Sequence, residues 1–401
     1  MILSKNIKIY YMYSTFAELL ILGPILVLFL IAKGLSFTEI MILQSIAAIS
    51  VILFEVPTGV TADKLGRKLT LIMGSALWAI SLTIYILGSN FIVFALAEVI
   101  FSLGATFKSG ADVALIYDTL KSNGQEKEFQ AIEGHARSLA LYAQAIGSVI
   151  AGFVYEVNIY LPMVISIGFM LVTIIITSGF KEPPSSLSKR ISIKVYYEQI
   201  KNSGSYILKH EKLKALILYS MIFFVFYRTG FWYFQPYMEN VDIPVKYFGI
   251  IFFVFNVTAA LASKYSHYFM EKTKPKTLTI MSALLIISFI LLGTITVWIG
   301  FVAILFQQLA RGVYRPVMNK YLNKHIPSDK RSTVLSFQSL ANNLTVALAF
   351  PFMGKLKDSL DIFNTHLILA LLMIILTFIS LRYMNSRLGL KKTQNIAELP
   401  K

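Results

Sequence analysis

Of the four acidic residues that lie well inside long apolar stretches in the first half of this 401-residue sequence, three are candidates for chemistry: Glu18, Glu98 and Asp112. The fourth, Glu55, is interpreted as a structural or gating residue. A charge at such a position costs about 3 kcal/mol when the stretch crosses a bilayer, so it marks a functional site by default. A carboxylate held away from bulk water can bind and release a proton. We therefore interpret the three candidate acids as members of a proton-binding or cavity-lining site.

Three arginines occupy comparable positions in the second half: Arg228, Arg311 and Arg315. Arg311 and Arg315 are four residues apart, which places them on one face of a helix. A guanidinium in a low-dielectric cavity can hold an anionic group of a ligand. Alternatively, these arginines form ion pairs with the acids of the first half and bind no ligand. The residue types leave both interpretations open.

Neutral amides occur at similar depth and are further candidates for cavity contacts or for hydrogen bonds between helices; these are Gln144, Asn256, Gln307, Gln308, Asn342 and Asn343. The sequence has no cysteine, no cluster with metal-ligand spacing, no phosphate-binding loop and no catalytic serine–histidine arrangement. We therefore expect no enzyme activity, no metal and no cofactor.

The elements that must position these residues are long apolar segments. Hydrophobic residues make up 56% of the chain and charged residues only 14%, which excludes a soluble globule. A helix needs about 20 apolar residues to cross a bilayer. We predict an all-α membrane protein with twelve transmembrane helices, at 9–33, 38–61, 69–88, 91–118, 130–155, 159–180, 213–238, 246–269, 277–297, 299–321, 332–354 and 362–384.

Basic residues predict the orientation of these spans. The net charge is +16, and 28 of the 37 lysines and arginines fall on the side that holds both termini, against four on the other side. Cytoplasmic loops of membrane proteins carry such an excess. We predict a multi-pass protein of the bacterial inner membrane with cytoplasmic N- and C-termini. Because the basic residues lie between spans and form no stripe, we expect no nucleic-acid partner.

The spans fall into two groups of six that echo each other weakly, with Gly152 and Glu156 matching Gly354 and Asp358. Parallel six-helix repeats place a binding site between the halves at mid-membrane. The longest polar stretch separates them, and its middle, 191–207, is either a solvated linker or an amphipathic surface helix. The predicted organisation is an N-terminal bundle 1–180, a cytoplasmic linker 181–212, a C-terminal bundle 213–390 and a cytoplasmic tail 391–401.

A short motif joins the second and third spans, with Gly59, Asp63, Gly66, Arg67 and Lys68 at fixed spacing. Gly59 is interpreted as permitting close helix approach and Gly66 as permitting a tight turn. Arg67 and Lys68 face the anionic inner leaflet. An ordinary basic turn explains the cations, but it does not explain the spacing of both glycines and the acid.

This motif resembles the loop 2–3 signature of the major facilitator superfamily, and every defining position matches. The resemblance implies two pseudo-symmetric six-helix bundles and transport by alternating access. It also implies that Asp63 meets the end of the eleventh helix, and that Arg67 meets an acid at the inner end of the fourth. These contacts would latch the outward-facing state. Asp118 is the best match for that acid.

The chain is also similar to bacterial efflux members of the family, although Glu98 stands near the place of the usual fourth-helix arginine. The resemblance implies a secondary transporter of a small molecule, with proton-coupled antiport and export of a drug-like or amphiphilic compound as the first hypothesis. Uptake of an anionic nutrient is the alternative, and a non-transporting membrane sensor is a third. We expect a monomer in a lipid bilayer.

Overall fold

The computed structural model describes residues 5–183, 204–327 and 330–388. These residues are almost entirely α-helical, with no β-strand among them, which confirms the predicted all-α class. Most of the possible surface helix at 191–207 and the whole predicted tail at 391–401 lie outside the described residues.

Eight helices precede the gap at 184–203. They are α1 Lys5–Phe16, α2 Leu26–Ala32, α3 Phe37–Leu65, α4 Arg67–Leu87, α5 Phe91–Lys108, α6 Ala111–Ser122, α7 Phe129–Val157 and α8 Leu161–Ser178. A 3-10 turn at Glu126–Glu128 leads into α7. The first of two compact units comprises Met1–Tyr196 and Pro244–Phe253. Its buried core includes Tyr10, Leu71 and Leu115.

Residues 204–209 are helical (α9), and seven longer or shorter helices follow. They are α10 Glu211–Asn240, α11 Phe248–Lys264, α12 Ser266–Thr273, α13 Thr277–Thr294, α14 Ile304–Asn323, α15 Arg331–Ser359 and α16 Ile362–Leu388. Further 3-10 turns lie at Val245–Tyr247, Lys274–Lys276 and Trp298–Ala303. The second compact unit comprises Tyr197–Ile243 and Val254–Lys401.

Nine helical segments of the described chain are long and apolar enough to cross a membrane. They are Phe37–Leu65, Arg67–Leu87, Phe91–Ser122, Glu126–Val157, Leu161–Ser178, Glu211–Asn240, Val245–Lys264, Ser266–Thr294 and Ile362–Ser386. The three other predicted spans correspond to α1 with α2, to α14 and to α15. The count of twelve therefore stays a prediction.

The first predicted span, 9–33, is wrong as a continuous helix. It breaks into α1 and α2, with turns over residues 17–25. Pro24 explains the break, because proline has no N–H and its ring clashes with the preceding turn. The Ser166 hydroxyl of α8 accepts the Ile21 N–H at 3.0 Å, so this irregular backbone remains hydrogen-bonded inside the protein.

The fourth predicted span is also divided. α5 ends at Lys108 and α6 begins at Ala111, because Gly110 adopts a left-handed conformation with φ of 75°. Glycine reaches that region without steric cost. The break therefore places Lys108 at the end of α5 and Asp112 in the first turn of α6.

Small residues allow two close helix approaches within the first unit. A Cβ atom at Gly74 of α4 would lie 2.8 Å from the Gly104 carbonyl oxygen of α5. Gly152 of α7 allows a second close approach, since a Cβ atom there would lie 2.6 Å from the Val245 carbonyl oxygen. Backbones approach to this extent where side chains are absent.

Candidate functional site

The turn between α3 and α4 is built around Gly66. Its φ of 90° lies in the region that favours glycine, and its N–H donates to the Ala62 carbonyl at 3.1 Å. A Cβ atom at Gly66 would also lie 3.1 Å from the carboxyl carbon of Glu182. The structure therefore shows the tight turn expected at Gly66. The nearby Glu182 carboxyl is a second reason for glycine at this position, because a side chain there would crowd it.

Arg67 reaches from this turn to α6. Its Nη1 atom forms an ion pair with Asp118 and also donates to the Ala114 carbonyl. The two side chains are 23% and 15% exposed, so the pair is only partly screened by water. The geometry joins the residues that the motif resemblance named, although the latch role itself stays a prediction.

Glu182 is a site residue that the sequence reasoning missed. Its Oε1 atom accepts the Arg67 N–H at 2.7 Å, and its Oε2 atom accepts the Lys68 N–H at 3.0 Å. The first N–H groups of a helix lack partners within the helix and carry partial positive charge. Glu182 therefore caps α4 from 115 residues away. No local pattern in the predicted linker indicated this contact.

Asn6 fixes the segment that carries Glu182. The Asn6 amide accepts the Lys181 N–H at 2.9 Å and donates to the Lys181 carbonyl at 2.8 Å. It also donates to the Thr119 hydroxyl at 2.9 Å. The chain start, α6 and the end of α8 are thus tied together beside the motif. An asparagine close to the N-terminus gave no signal of this role.

A cleft of about 320 Å³ opens beside the motif and is lined in part by Glu55, Gly59, Asp63, Arg67 and Gly110. A Cβ atom at Gly59 would meet no heavy atom of the described chain within 4 Å. Within the first unit, no helix approaches Gly59 closely. Its expected role in close helix approach stays a prediction. The role of Asp63 at the eleventh span stays a prediction.

Glu18 lies in the non-helical segment between α1 and α2, not within a helix as predicted. Its Oε2 atom accepts a hydrogen bond from the Gln144 amide of α7 at 2.6 Å. The side chain is partly exposed. Irregular backbone at membrane depth is characteristic of the binding sites of transporters. Glu18 thus keeps its place as a cavity candidate, with an amide partner.

Asp112 opens α6 and interacts electrostatically with both Glu18 and Lys108. Two of the three predicted acids therefore belong to one charged cluster. Lys108 is its cation: the side chain is only 9% exposed, and its Nζ atom lies 3.5 Å from the centroid of the Trp78 ring. The sequence reasoning placed Lys108 in a span but did not assign it to a site.

Glu98, the third predicted acid, lies apart from this cluster. Its Oε1 atom accepts the Gln44 amide at 3.0 Å and the Tyr85 hydroxyl at 2.5 Å. These donors come from α3 and α4, and the carboxyl is only 5% exposed. A buried acid with two donors holds three helices together. Its predicted role in proton coupling stays untested.

Arg311 on α14 is held by neutral partners. Its Nη1 atom donates to Asn256 Oδ1 at 3.3 Å and to Gln308 Oε1 at 3.1 Å. It forms no ion pair within the described chain. Two of the predicted amides therefore orient the guanidinium and leave its charge uncompensated by a contacting carboxylate. Such an arginine can receive an anionic group.

The structure gathers neither Arg228 nor Arg315 into a comparable cluster. Arg228 is half-buried on α10 and Arg315 is exposed on α14. Neither has an ion-pair partner among the described residues. Their predicted part in substrate binding or ion pairing remains a prediction.

A buried polar network beside Arg311 was found only in the structure. The Tyr314 hydroxyl lies 2.7 Å from the Ser220 hydroxyl and 3.1 Å from the Asn342 amide, and Gln338 donates to Ser220 at 2.7 Å. The Tyr314 ring stacks on Phe223 at 5.0 Å between centroids. Asn342 was expected at cavity depth, whereas a tyrosine on α14 carried no such signal.

Among curated proteins, the chain is similar to an uncharacterized MFS-type transporter, YxaM, of Bacillus subtilis strain 168. The two are 23% identical over 382 residues, which cover 92% of this chain and 93% of the relative. It is also similar to the quinolone resistance protein NorA of Staphylococcus aureus strain MRSA252. That match is 27% identical over 209 residues and covers 48% of this chain and 53% of NorA, about half of each.

Solved structures share the fold. The nucleoside transporter NupG superposes with a TM-score of 0.80 at 15% identity, covering 95% of this chain and 99% of NupG. A bacterial homologue of the human lysosomal transporter Spinster gives a TM-score of 0.72 at 13% identity, covering 96% and 95%. The family model of the Major Facilitator Superfamily matches residues 10–238 and 215–399. The chain is therefore an integral membrane transporter that belongs to the Major Facilitator Superfamily.

Proposed function

We propose that this transporter exports a small amphiphilic organic compound in exchange for protons. The observation that carries the proposal is the 27% identity with a quinolone resistance protein over 209 residues. The first unit adds a chemical reason, since Glu18 and Asp112 interact electrostatically within one cluster in which a proton can be bound and released. The 15% identity with NupG supports the fold alone.

The experiment is a transport assay with purified protein in proteoliposomes. A pH gradient is imposed in either polarity, and a panel of fluoroquinolones, lipophilic cations and organic anions is followed. We expect the compound to move against the direction of proton flow. Movement of no compound under either polarity would contradict transport driven by protons, and movement together with the protons would contradict antiport.

Uptake of an anionic nutrient is the second candidate, and Arg311 is the observation that favours it. Its guanidinium is oriented by Asn256 and Gln308 and has no contacting carboxylate among the described residues. A carboxylate or phosphate group of a ligand fits such a donor. The same assay separates the candidates, because an anion would move with the protons.

The proposed location is the bacterial inner membrane, with both termini in the cytoplasm. The support is that 28 of 37 basic residues lie in the terminal segments and in the loops predicted on the same side as the termini. A reporter enzyme fused after Lys401 tests it. We expect activity only from a reporter that folds in the cytoplasm, and activity of a reporter that needs the opposite compartment would contradict the orientation.

A further inference from the structure

Lys108 is a buried cation that the proposed mechanism has not used. It ends α5, its Nζ atom is buried, and it has no hydrogen-bond partner among the described residues. It also forms no ion pair there. An ammonium in this position is costly unless nearby groups stabilise it.

Aromatic rings supply the contacts of this ammonium. Nζ lies 3.5 Å from the centroid of the Trp78 ring and 5.8 Å from that of Tyr13. The face of an indole is the best aromatic partner for a cation. Trp78 is itself fixed, because it stacks on Phe101 at 4.7 Å and donates to the Phe101 carbonyl at 2.9 Å.

Packing also fixes the aliphatic stem of Lys108. A Cβ atom at Gly74 would lie 2.6 Å from Lys108 Cγ, so the stem passes over a glycine of α4. The neighbouring approach of Gly74 to Gly104 leaves no room for another side chain. The ammonium is therefore held in one place by its rings and its stem, and not by a carboxylate.

Two carboxylates nevertheless interact electrostatically with Lys108: Glu18 and Asp112. Neither forms an ion pair with it. Glu18 Oε2 accepts the Gln144 amide, and the Asp112 carboxylate accepts backbone N–H groups of Asp112 and Val113 at the first turn of α6. The two carboxylates therefore interact with the cation through space, and their hydrogen bonds come from neutral donors.

Other titratable groups of the described residues also lie near the cluster. Tyr13 faces Glu18 and Asp112 from α1, and Tyr10 lies one turn before it. From α7, Glu133 and Arg137 act on Tyr10 with opposite signs. Two anions and one cation therefore dominate the charge of the cluster.

We propose that Lys108 is the internal counter-ion of Glu18 and Asp112 and sets the net charge of this cluster at minus one. One proton then neutralises it, by converting one carboxylate and a proton into one carboxylic acid. The coupling consequence, exchange of a single proton in each cycle, rests on the proposed function. The charge assignment itself does not depend on transport.

The test is an infrared pH titration of the purified full chain in lipid nanodiscs. The C=O bands of protonated carboxyls are assigned by their loss in Glu18→Gln and in Asp112→Asn. In Lys108→Met we expect the protonation midpoint of these bands to rise by about one pH unit, because a nearby cation favours the carboxylate. Lys108→Arg keeps the charge and should keep the midpoint. Lys121→Met, which removes an exposed lysine of α6, is the matched control.

A double variant keeps the proposal falsifiable if Lys108→Met does not fold. Lys108→Met with Asp112→Asn again has a net charge of minus one, so it should fold and return the Glu18 midpoint towards the wild-type value. The proposal is overturned if Lys108→Met leaves the midpoint unchanged, if no carboxyl band titrates in the wild type, or if the double variant also fails to fold. Because no substrate is needed, failure here and failure of export are separate results.

Discussion

The Arg67 backbone N–H donates to Glu182 Oε1 at 2.7 Å, although 115 residues separate the two in the chain. The same arginine sends its guanidinium to Asp118 on α6. Arg67 thus takes part in two contacts: its backbone N–H belongs to the cap of α4, and its side chain forms the ion pair with α6. The two contacts use different groups of Arg67, the backbone N–H and the guanidinium, so each can be tested separately.

The ion pair is tested by removing each partner. We expect Arg67→Ala and Asp118→Asn each to lower the transport rate about tenfold, equivalent to about 1.4 kcal/mol, while the protein still reaches the membrane. The double variant should be no slower than either single variant, because both remove the same interaction. Transport rates and membrane abundance are measured together.

Lys64→Ala is the matched control for this pair, since Lys64 is an exposed cation near the end of α3. It should transport normally. Arg67→Lys is expected to behave more like Arg67→Ala than like the wild type, because one ammonium does not reproduce the planar guanidinium that bonds Asp118 and Ala114. Additive effects of the two single variants would contradict a shared interaction.

The cap is tested by Glu182→Ala. Loss of the carboxylate leaves the Arg67 and Lys68 N–H groups without this acceptor, so we expect a stability loss of about 1 kcal/mol. The measurement is thermal unfolding of the purified protein in detergent. Glu239→Ala, at an exposed position near the end of α10, serves as the control. Equal unfolding midpoints for both variants would show that the cap contributes nothing.

The residues of this site differ in how far the sequence could reveal them. Asp63, Gly66 and Arg67 are close in the sequence, so a spacing pattern identifies them. Asp118 was identified because the family resemblance implies an acid at the inner end of the fourth span. Glu182 and Asn6 carry no comparable pattern. Their contacts depend on where α8 ends and α1 begins in space, which no local spacing encodes.

The contrast between local patterns and distant contacts also explains which parts of the fold could be predicted. Apolar length predicted an all-α protein because a span is a local property of about 20 residues. It did not predict the break around Glu18, where Pro24 disrupts the helix and Ser166 of α8 replaces the lost backbone bonding. It also did not reveal Lys108 as the centre of a cluster, because the partners come from α1, α4 and α6.

The proton site is tested by Glu18→Gln. The neutral amide keeps the size of the side chain but cannot bind a proton at this position, so we expect transport driven by a pH gradient to fall about tenfold or more. Exchange of substrate between the two sides without a gradient should persist. Glu126→Gln, at an exposed position before α7, is the control. Full gradient-driven transport in Glu18→Gln would rule out its coupling role.

The anion site is tested by two single variants, Arg311→Lys and Asn256→Ala. If an organic anion is transported, both variants should raise its KM about tenfold, because the first loses the guanidinium geometry and the second loses an orienting amide. Lys320→Ala removes an exposed cation of the same helix and should leave KM unchanged. A KM unaffected by Arg311→Lys would remove the support for the anion candidate.

The start of α16 has a pH-dependent cap. Hydrogen bonds from the backbone and side chain of Asn364 hold the pKa of Asp361 below its ordinary value. A lowered carboxyl pKa contributes stability above the unfolded pKa of about 3.9 and loses it as the pH falls through the folded value. The difference in thermal stability between the wild type and Asp361→Ala should therefore be present at neutral pH and shrink in acid. A difference that grows in acid would contradict this cap.

Proton-coupled export is tested most directly by measuring proton flux and substrate flux together in proteoliposomes. With a pH-sensitive dye inside and a fluoroquinolone on the side of lower proton concentration, export coupled to protons predicts simultaneous movement of the two in opposite directions. Both fluxes should fall about tenfold or more in Glu18→Gln and persist in Glu126→Gln. Substrate movement with no accompanying proton movement, or proton movement in the same direction, would contradict proton-coupled export.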